Sequence, residues 1–400
     1  MTSDAALCSD PIRLGVAGLG RAFVLTQPSI AADARIMLSA CAAPRRESRD
    51  HFSDRFGGRG YDTVEGLCSD PDVEAIYIAT PHQMHRDHAV TALRAGKHVL
   101  IDKPLCVDLE DAQAIVDCAE ETGRHVIVGP SHSFDLQIQK TLNLIESGEF
   151  GPVRMIHALN YTDFLYRPRR PEELVTAEGG GVVFSQAVHQ VDIVRLLGGG
   201  LVDSLCAATG SWDPARPTEC AYSAHLTFRS GAFASLTYSG HAHFDSNEFC
   251  GWVGELGNDA DPDSYGKARS ALTGVASASE EAALKSMRTF GGVGALPDAT
   301  HNEHFGPLIV SCDHADLRPT PDGVWIYADG EKRFVPVPTH GAPRRAVFDA
   351  LWAAVREDRP AIQDARWGLA SLEVCHAILR SAGTRTPVML NHQVPVRGRS

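Results

Sequence analysis

Short apolar runs alternate with amphipathic, charge-rich segments over the first third of the chain. The apolar runs have the length of buried strands, and the segments between them place apolar residues at helical spacing. Strands that alternate with helices are typical of a parallel, doubly wound sheet, so we predict an α/β domain of that kind over residues 1–130. The predicted strands are Ile12–Gly18, Ile36–Ala42, Ala75–Ala79, Val99–Asp102 and His125–Val128, and the predicted helices include Arg46–Phe56, His85–Ala95 and Leu109–Thr122.

The pattern changes after Ser131, where longer segments of alternating polarity follow one another with few helices between them. This alternation favours an antiparallel sheet in a second domain over residues 131–385. The stretch 254–298, rich in Gly, Ala, Ser and Asp, is interpreted as an insertion, and 386–400 as a tail. The predicted strands are Val153–Tyr161, Leu201–Thr209, Ala221–Phe228, Ala232–Ser239, Gly306–Ser311 and Gly323–Tyr327, and the predicted helices are Gln137–Ser147, Ser279–Met287, Arg344–Arg356 and Gly368–Ala382.

Composition and charge narrow the function classes. The formal net charge of −13 argues against a nucleic-acid binder, which needs clustered Lys and Arg for the phosphates. There is no apolar run of about 18 residues that would span a membrane, and residues 1–10 lack the features of a secretory signal. The ten cysteines form no C-x-x-C pair and are interpreted as reduced thiols. We therefore expect a soluble, cytoplasmic protein without a metal site.

A glycine turn follows the first predicted strand. Gly18 permits a tight strand-to-helix turn, and Gly20 lets the backbone approach a pyrophosphate that sits on the next helix, beginning at Arg21 and Ala22. The third glycine of the G-x-G-x-x-G pattern is replaced by Phe23, so the pattern is incomplete. Its place directly after the first strand still predicts a dinucleotide site rather than a simple glycine turn.

The end of the second strand bears on the choice of dinucleotide. NAD sites carry an acidic residue there for the ribose 2′-hydroxyl, but this chain has Ala43 followed by Arg45 and Arg46. An arginine can pair with the 2′-phosphate of NADP, so the residues modestly favour NADP. The alternative is that both arginines face solvent in the first turn of a helix.

Three further segments carry a family resemblance. Residues 79–85 read Ala-Thr-Pro-His-Gln-Met-His, residues 95–104 read Ala-Gly-Lys-His-Val-Leu-Ile-Asp-Lys-Pro, and residues 179–192 contain a glycine triplet followed by Ser185 and His189. In these motifs the chain resembles the Gfo/Idh/MocA oxidoreductases from Ile12 to about Arg380, with Asp102 in place of the usual Glu. The resemblance implies a Rossmann domain, a second domain with a large, open, mainly antiparallel sheet, and a homo-oligomer formed through that sheet.

The resemblance also implies roles for individual residues. Lys103 matches the lysine that contacts the substrate hydroxyl, often before a cis proline bond, and His189 matches the proton acceptor. Ser185 stands where the family motif has an aspartate, which puts polyol binding in doubt. Asp192, one helical turn after His189, could orient the imidazole or simply face solvent. The motif positions expected near the cofactor are Thr80, Pro81, His82, His85, Asp102 and Lys103.

An arginine-rich loop after the strand Val153–Tyr161 points to an acidic substrate. Tyr161 ends the strand, and Arg167, Arg169 and Arg170 follow with prolines between them. Arginine forks pair with carboxylates, so the loop predicts a di-acid site, with an ordinary solvated loop as the alternative. Together with Ser185 and the segment 241–245, it resembles dehydrogenases that oxidise cis-4,5-dihydroxy-4,5-dihydrophthalate to 4,5-dihydroxyphthalate. That branch implies NAD, against the NADP indicated by the arginines.

The leading hypothesis is therefore an NAD(P)-dependent dehydrogenase of a secondary alcohol in a carboxylated cyclic dihydrodiol. A histidine beside a lysine suits this chemistry, because a base takes the hydroxyl proton while a cation stabilises the developing alkoxide. The alternatives are a sugar or cyclitol dehydrogenase, a non-catalytic dinucleotide-binding sensor, and a redox-neutral, NAD-dependent glycoside hydrolase.

Overall fold

The computed structural model describes residues 10–264, 266–292, 299–339 and 344–397. The chain forms two compact units. The first contains Met1–Pro130, Ser286–Leu296 and Arg344–Gly368, and the second contains Ser131–Lys285, Pro297–Pro343 and Leu369–Ser400. The first unit thus takes two short segments from the later part of the chain.

A six-stranded parallel sheet forms the first unit, in the order β3-β2-β1-β4-β5-β6. The order reverses between β1 and β4, where doubly wound sheets bind their ligands at the carboxyl ends of the strands. The predicted α/β fold is confirmed, and β3 is the strand that the pattern did not indicate. The strands are β1 (Ile12–Ala17), β2 (Ile36–Ala42), β3 (Arg59–Tyr61), β4 (Ala75–Ile78), β5 (His98–Ile101) and β6 (Val126–Val128).

The helices of the first unit bury one face against this sheet. In α1, for example, Phe23, Val24 and Ile30 are buried, and in α5 Ile115 and Val116 are. These positions recur at the spacing of an amphipathic helix. The helices are α1 (Arg21–Ala31), α2 (Arg46–Phe56), α3 (Val64–Cys68), α4 (His85–Arg94), α5 (Leu109–Thr122) and, from the later segment, α10 (Arg345–Glu357).

A nine-stranded sheet forms the second unit, in the order β14-β13-β12-β11-β7-β10-β9-β8-β15. Only β7 and β10 pair in parallel among the neighbours, so the predicted mainly antiparallel sheet is confirmed. Strands β12, β14 and β15 were not predicted. The strands are β7 (Val153–Tyr161), β8 (Val202–Gly210), β9 (Ala221–Phe228), β10 (Phe233–Ser239), β11 (Leu308–Cys312), β12 (Ala315–Thr320), β13 (Gly323–Ala328), β14 (Glu331–Pro336) and β15 (Val388–Met389).

In the second unit, the helix Leu136–Glu146 packs on β12 and β13, and the helix Val188–Leu197 packs on β7 and β10. The residues of α7 are all buried, and a π-helical turn, Val183–Ala187, leads into it. The helices are α6 (Leu136–Glu146), α7 (Val188–Leu197), α8 (Lys267–Ala271), α9 (Ala278–Ser286) and α11 (Ala365–Thr384), which begins in the first unit. No helix in the described ranges is long and apolar enough to cross a membrane.

The structure describes only part of the predicted insertion and of the predicted tail. Of 254–298, taken as an insertion, residues 265 and 293–298 lie outside the described residues, and the rest contains α8 and α9. Of 386–400, taken as a tail, residues 398–400 lie outside. The described part pairs with β8 through β15 and places the Gln393 amide oxygen 2.9 Å from Nε of the buried Arg195.

Candidate functional site

The turn after β1 has the geometry of a pyrophosphate cradle. Gly18 has φ of +95°, and a Cβ there would lie 2.7 Å from the carbonyl oxygen of Ala79, so the position requires glycine. Gly20 is the N-cap residue of α1 and brings no side chain to cap the helix. The first turn of α1, at Arg21 and Ala22, therefore presents a helix N-terminus that suits a phosphate group, and these residues fit a dinucleotide.

Phe23, which breaks the glycine pattern, is fully buried. Its ring lies 6.1 Å from that of Phe52 in α2 and 5.2 Å, edge to face, from that of Phe290. The backbone N–H of Phe290 donates to the Leu19 carbonyl oxygen at 3.2 Å. The substitution thus packs α1 against α2 and against the later segment of the first unit.

The two arginines expected at the ribose have different surroundings. Arg45 Nη2 donates to the hydroxyl of Thr289 at 3.1 Å, which keeps its guanidinium beside the later segment. Arg46 pairs with Asp50 at 3.4 Å, and its side chain is 85% exposed. Arg46 therefore has the solvent-facing position that was the alternative interpretation.

A third arginine at this strand end was missed by the sequence analysis. Arg49 Nη1 donates to the carbonyl oxygens of Ala43 at 2.7 Å and Pro44 at 2.9 Å. It lies one helical turn after Arg45, so its position in α2 was the signal that could have identified it. The loop carries positive charge where NAD sites carry an acid.

His85 joins the loop after β4 to the loop after β5. It is fully buried, with Nε2 2.9 Å from the Thr80 carbonyl oxygen and Nδ1 3.0 Å from the Pro104 carbonyl oxygen. A neutral imidazole can donate to only one of these acceptors at a time. Burial lowers the pKa of His85, although the charge of Asp102 opposes this, so the neutral ring is favoured.

The neighbouring motif residues form a short turn. Thr80 Oγ1 lies 3.0 Å from Nδ1 of His88, and the ring of His82 lies 5.5 Å from that of His85. Pro81 precedes the 3₁₀ turn that contains His82. The turn and the glycine cradle are adjacent, because a Cβ on Gly18 would also meet the Thr80 nitrogen at 3.0 Å.

Lys103 is half-buried at the end of β5 and precedes a cis proline bond, as the resemblance implied. Its backbone N–H donates to Asp102 Oδ1 at 2.8 Å, while the Tyr77 hydroxyl lies 3.4 Å from Asp102 Oδ2. The Tyr77 hydroxyl is 3.3 Å from that of Thr26. The carboxylate that replaces the usual Glu therefore holds the backbone of Lys103 in place.

In the second unit, His189 lies in the first turn of α7 and is 7% exposed. Its ring packs edge to face against that of His132 at 4.7 Å, and it lies tilted against the ring of Phe305 at 4.9 Å. Phe305 also contacts His132 at 5.0 Å and stacks on Tyr238 at 6.0 Å. His189 is thus one member of a packed group of aromatic rings.

The other two predicted positions near His189 differ in burial. Ser185 is half-buried in the π-helical turn before α7, and Asp192 is 5% exposed. The alternative interpretation of Asp192 as a carboxylate in contact with solvent is therefore wrong.

The arginine loop carries its own counter-charges. Arg167 Nη1 lies 3.3 Å from Glu255 Oε2, and Asn160 Nδ2 lies 3.4 Å from the other oxygen of that carboxylate. Burial would raise the pKa of Glu255, yet the Arg167 guanidinium and the nearby His132 hold it below its usual range. An ionised carboxylate therefore faces Arg167.

Arg169 lies deeper in the loop. Its guanidinium sits 3.6 Å from the centre of the Phe164 ring, and Nη2 donates to the Phe164 carbonyl oxygen at 2.8 Å. Burial lowers the pKa of Arg169 to about 10, despite the charge of Glu173. The interpretation of this arginine as a solvated surface residue is wrong.

The remaining predicted substrate residues are half-buried. The Arg170 backbone N–H donates to Glu173 Oε2 at 2.8 Å in a capping arrangement. The Tyr161 ring contacts Phe244 at 6.2 Å, and the Tyr161 backbone N–H donates to the Ser246 hydroxyl at 3.0 Å.

Much of the charge around the arginine loop comes from segment 254–285. Glu281 accepts from the Arg169 backbone and, at 2.8 Å, from Arg216 Nη2, and Lys285 pairs with Glu173. No motif in the sequence indicated these residues, nor His132, Phe305 and Tyr238. The excess of charged residues within an otherwise small-residue segment was the available signal.

Comparisons with known proteins cover nearly the whole chain. Residues 12–130 match the model of the GFO/IDH/MocA oxidoreductase family, NAD-binding Rossmann fold, and residues 138–257 match the GFO/IDH/MocA C-terminal domain. The 1-carboxy-3-chloro-3,4-dihydroxycyclohexa-1,5-diene dehydrogenase of Comamonas testosteroni is 43% identical over 97% of this chain and 99% of its own length.

Two solved structures agree with the fold. A crystal structure from Bordetella bronchiseptica RB50 has a TM-score of 0.91 and 38% identity, and covers 95% of this chain and 100% of its own. The WlbA dehydrogenase of Bordetella pertussis, solved with NADH and UDP-GlcNAcA, has a TM-score of 0.67 and 21% identity over 96% of this chain and 99% of its own. At that identity the second structure supports the fold alone.

Proposed function

Because this chain belongs to the Gfo/Idh/MocA oxidoreductase family and is an NAD(P)-dependent dehydrogenase, we propose that its substrate is a cyclohexadiene cis-diol with a ring carboxylate. The observation that carries the proposal is the match, along nearly the full length of both chains, to a dehydrogenase of a carboxylated dihydroxycyclohexadiene. The specific member that we propose is cis-4,5-dihydroxy-4,5-dihydrophthalate, oxidised to 4,5-dihydroxyphthalate.

The residues of the chain supply binding and proton handling. The turn at Gly18 and Gly20 would hold the dinucleotide, which would supply the hydride acceptor for the carbinol carbon. Lys103 supplies positive charge for the oxygen as it becomes an alkoxide, and an imidazole nitrogen of His189 accepts the hydroxyl proton. Asp102 and His85 hold the backbone on either side of Lys103 through the Lys103 N–H and the Pro104 carbonyl.

The arginine loop supports an acidic substrate. Arg167 already faces the Glu255 carboxylate at 3.3 Å, so its guanidinium is presented to an anionic oxygen. A substrate carboxylate can take the same position, because a guanidinium fork pairs with any planar carboxylate. Ser185, in place of the motif aspartate, removes a negative charge that would repel such a substrate. Oxidation of one hydroxyl gives an enone that tautomerises to an aromatic catechol, and this drives the reaction forward.

The outer face of the nine-stranded sheet is proposed to join copies of the chain. Met155 on β7 and Phe233 on β10 are paired in register and are 40% and 41% exposed, and Ile309 on the adjacent β11 is 42% exposed. Such neighbouring exposed apolar side chains are typical of a protein interface.

Cofactor reduction with a substrate panel tests the proposal. Absorbance of the reduced nicotinamide is followed with NAD and NADP in parallel, using cis-4,5-dihydroxy-4,5-dihydrophthalate, a monocarboxylated cyclohexadiene cis-diol, myo-inositol and an aldose. We expect rapid reduction with the carboxylated diols alone. Reduction with only the polyols would leave the family assignment intact and would overturn the proposed substrate.

The variant Lys103→Ala tests the assignment of the lysine. We expect kcat to fall by about 100- to 10,000-fold, the usual contribution of a positioned acid–base group. Lys332→Ala removes an exposed lysine of β14 and serves as the control. Turnover that survives unchanged in Lys103→Ala would remove Lys103 from the mechanism.

A further inference from the structure

The stretch before His189 lacks the carboxylate that the family motif places there. Ser185 and Ala187 occupy the positions of the motif's aspartate and glycine. An acid–base histidine works best when a neighbouring anion fixes its ring and stabilises its protonated form. On α7 the buried Asp192, one turn after His189, is one candidate for this task, and a second candidate lies on another element.

A different element of the second unit places a carboxylate–imidazole pair beside His189. His132 lies in a 3₁₀ turn, His132–Phe134, and its Nδ1 is 2.8 Å from Asp135 Oδ2. Both side chains are buried, at 10% and 6% exposure. Because an ionised carboxylate only accepts hydrogen bonds, Nδ1 of His132 carries the proton, and this contact fixes the tautomer and the orientation of the ring.

A third ring, that of Phe305, packs against both histidines. The ring of His132 meets that of His189 edge to face at 4.7 Å, and the ring of Phe305 lies 5.0 Å from the first and 4.9 Å from the second. Asp135 is thus bonded to the ring that packs against His189. At this depth of burial, a negative charge beside one ring acts on the neighbouring ring with little screening.

We propose that Asp135 and His132 take over the task of the missing motif carboxylate. His132 is a positioning residue that holds the ring of His189, and the Asp135–His132 pair stabilises the protonated form of His189 that follows proton transfer from the substrate. The inference rests on the proposed function for the identity of that substrate, whereas the interaction between the two histidines is independent of it.

Other charged groups near the Asp135–His132 pair also affect the titration of the histidines. Glu255 and His304 lie near His132, and Arg167 pairs with Glu255. The His304 Nδ1 accepts from the Gly306 N–H at 3.0 Å, which fixes Nε2 as the donor to the Val253 carbonyl oxygen. Burial lowers the pKa of His304, so this ring stays neutral at moderate pH. The variants below leave all of these groups in place.

Asp135→Asn is the decisive variant. Asp135 is the N-cap residue of α6, but its side chain makes no capping hydrogen bond, and asparagine has nearly the same size, so the fold is expected to persist. The imidazole resonances of the labelled full-length protein are titrated by NMR, and the pH profile of kcat/KM is recorded with the best substrate of the panel. We expect the pKa of His189 to fall by about half a unit to one unit, because the protonated ring loses a nearby anion. The acidic limb of the profile should move to lower pH by the same amount.

Two further variants complete the test. His132→Gln removes the ring that contacts His189 and should also change the His189 titration. Asp322→Asn is the control, because Asp322 Oδ1 makes the same kind of contact with Nδ1 of His301, at 2.6 Å, on the exposed surface. This variant should leave the His189 titration unchanged. A His189 titration that is identical in wild type, Asp135→Asn and His132→Gln would overturn the inference. A shift by NMR in a protein that oxidises none of the carboxylated diols would support the inference and reject the proposed substrate.

Discussion

The two units present their functional groups in different ways. In the first, the cofactor end is built from backbone: Gly18 and Gly20 contribute by having no side chain, and Lys103 is held through its own N–H. In the second, the group around His189 and Arg167 is built from side chains that already contact one another. A backbone site tolerates almost no change in shape, whereas a site of paired charges can exchange one partner for a substrate group.

This difference separates the general part of the chemistry from the specific part. The cradle after β1 suits any dinucleotide, because backbone N–H groups and a helix N-terminus recognise phosphate. We propose that the choice of substrate depends instead on Arg167, its internal partner Glu255, and the rings that pack beside them. Changes to the backbone cradle are therefore expected to be all-or-none, and changes to the paired side chains are expected to be graded.

The largest effect on binding is expected for Gly18→Ala. The new Cβ would lie 2.7 Å from the Ala79 carbonyl oxygen, and the backbone at φ +95° disfavours any residue with a Cβ. The turn must move, and we expect the affinity for the dinucleotide to fall by at least about 100-fold, since a small displacement in a positioned site can cost that much. Cofactor titration followed by fluorescence measures the change.

Gly96→Ala provides the matched control for this change. Gly96 has φ of +77°, but a Cβ there meets nothing within 4 Å. Alanine at this position has the same unfavourable positive φ, but its Cβ does not collide with a neighbouring carbonyl oxygen. Equal losses of cofactor affinity in the two variants would show that the turn at Gly18 holds no ligand.

Arg167 and Glu255 form the ion pair in which a substrate carboxylate is expected to replace Glu255. Arg167→Ala should raise KM for the carboxylated diol by about 10- to 100-fold, if a charged hydrogen bond contributes about 1.5–3 kcal/mol. Glu255→Gln should lower KM or leave it unchanged, because the substrate carboxylate no longer competes with an internal one. Steady-state kinetics with matched folding controls by circular dichroism measure both.

Arg154→Ala is the control for the loss of an arginine. Arg154 pairs with Asp313 at 2.6 Å on the surface of the same unit and is 55% exposed. We expect no change in KM. If Arg167→Ala behaved like this surface variant, the arginine loop would have no part in substrate binding.

The contrast between the units also explains what the sequence could predict. The positions of Gly18, Lys103 and His85 follow from contiguous motifs at the ends of buried strands, and parallel strands of one sheet bring such ends together. His132 and Glu255 carry no motif, because their proximity to His189 and Arg167 arises from packing between distant segments. Strand β14 was missed for a related reason: as an exposed edge strand it carries Glu331, Lys332 and Arg333 instead of an apolar alternation.

Substitutions at Arg45 and Arg46 test the preference between NAD and NADP at the ribose end. Arg45→Ala should raise KM for NADP by about 10-fold and change KM for NAD less than about twofold, since an arginine pairs with the 2′-phosphate and not with a hydroxyl. Arg46→Ala, at an exposed position, should change neither value. A loss that is equal for both dinucleotides would assign Arg45 to the Thr289 contact alone.

The smallest expected effect is on the stability of the first unit and not on its binding of the dinucleotide, and it arises from His98. His98 begins β5, at the strand end opposite to Lys103, and its ring stacks on that of His125 at 5.4 Å. Burial, assisted by the charge of His125, lowers the pKa of His98 to about 4 from 6.5. Folding therefore favours the neutral ring. Its stabilising contribution is complete above pH 6.5 and is lost as the pH falls towards 4, because the unfolded chain binds the proton first.

His98→Gln should accordingly lose less stability than the wild type between pH 7 and pH 5. Solvent screening at this partly exposed ring limits the difference to about 1 kcal/mol, or roughly 2–4 °C in Tm. Thermal unfolding at the two pH values measures it, with His314→Gln, at an exposed position, as the control. The affinity for the dinucleotide should stay unchanged in both variants, because the cradle at the other end of the sheet depends on backbone shape and not on this titration. A change in cofactor affinity that followed the protonation of His98 would mean that the two ends of the sheet are coupled.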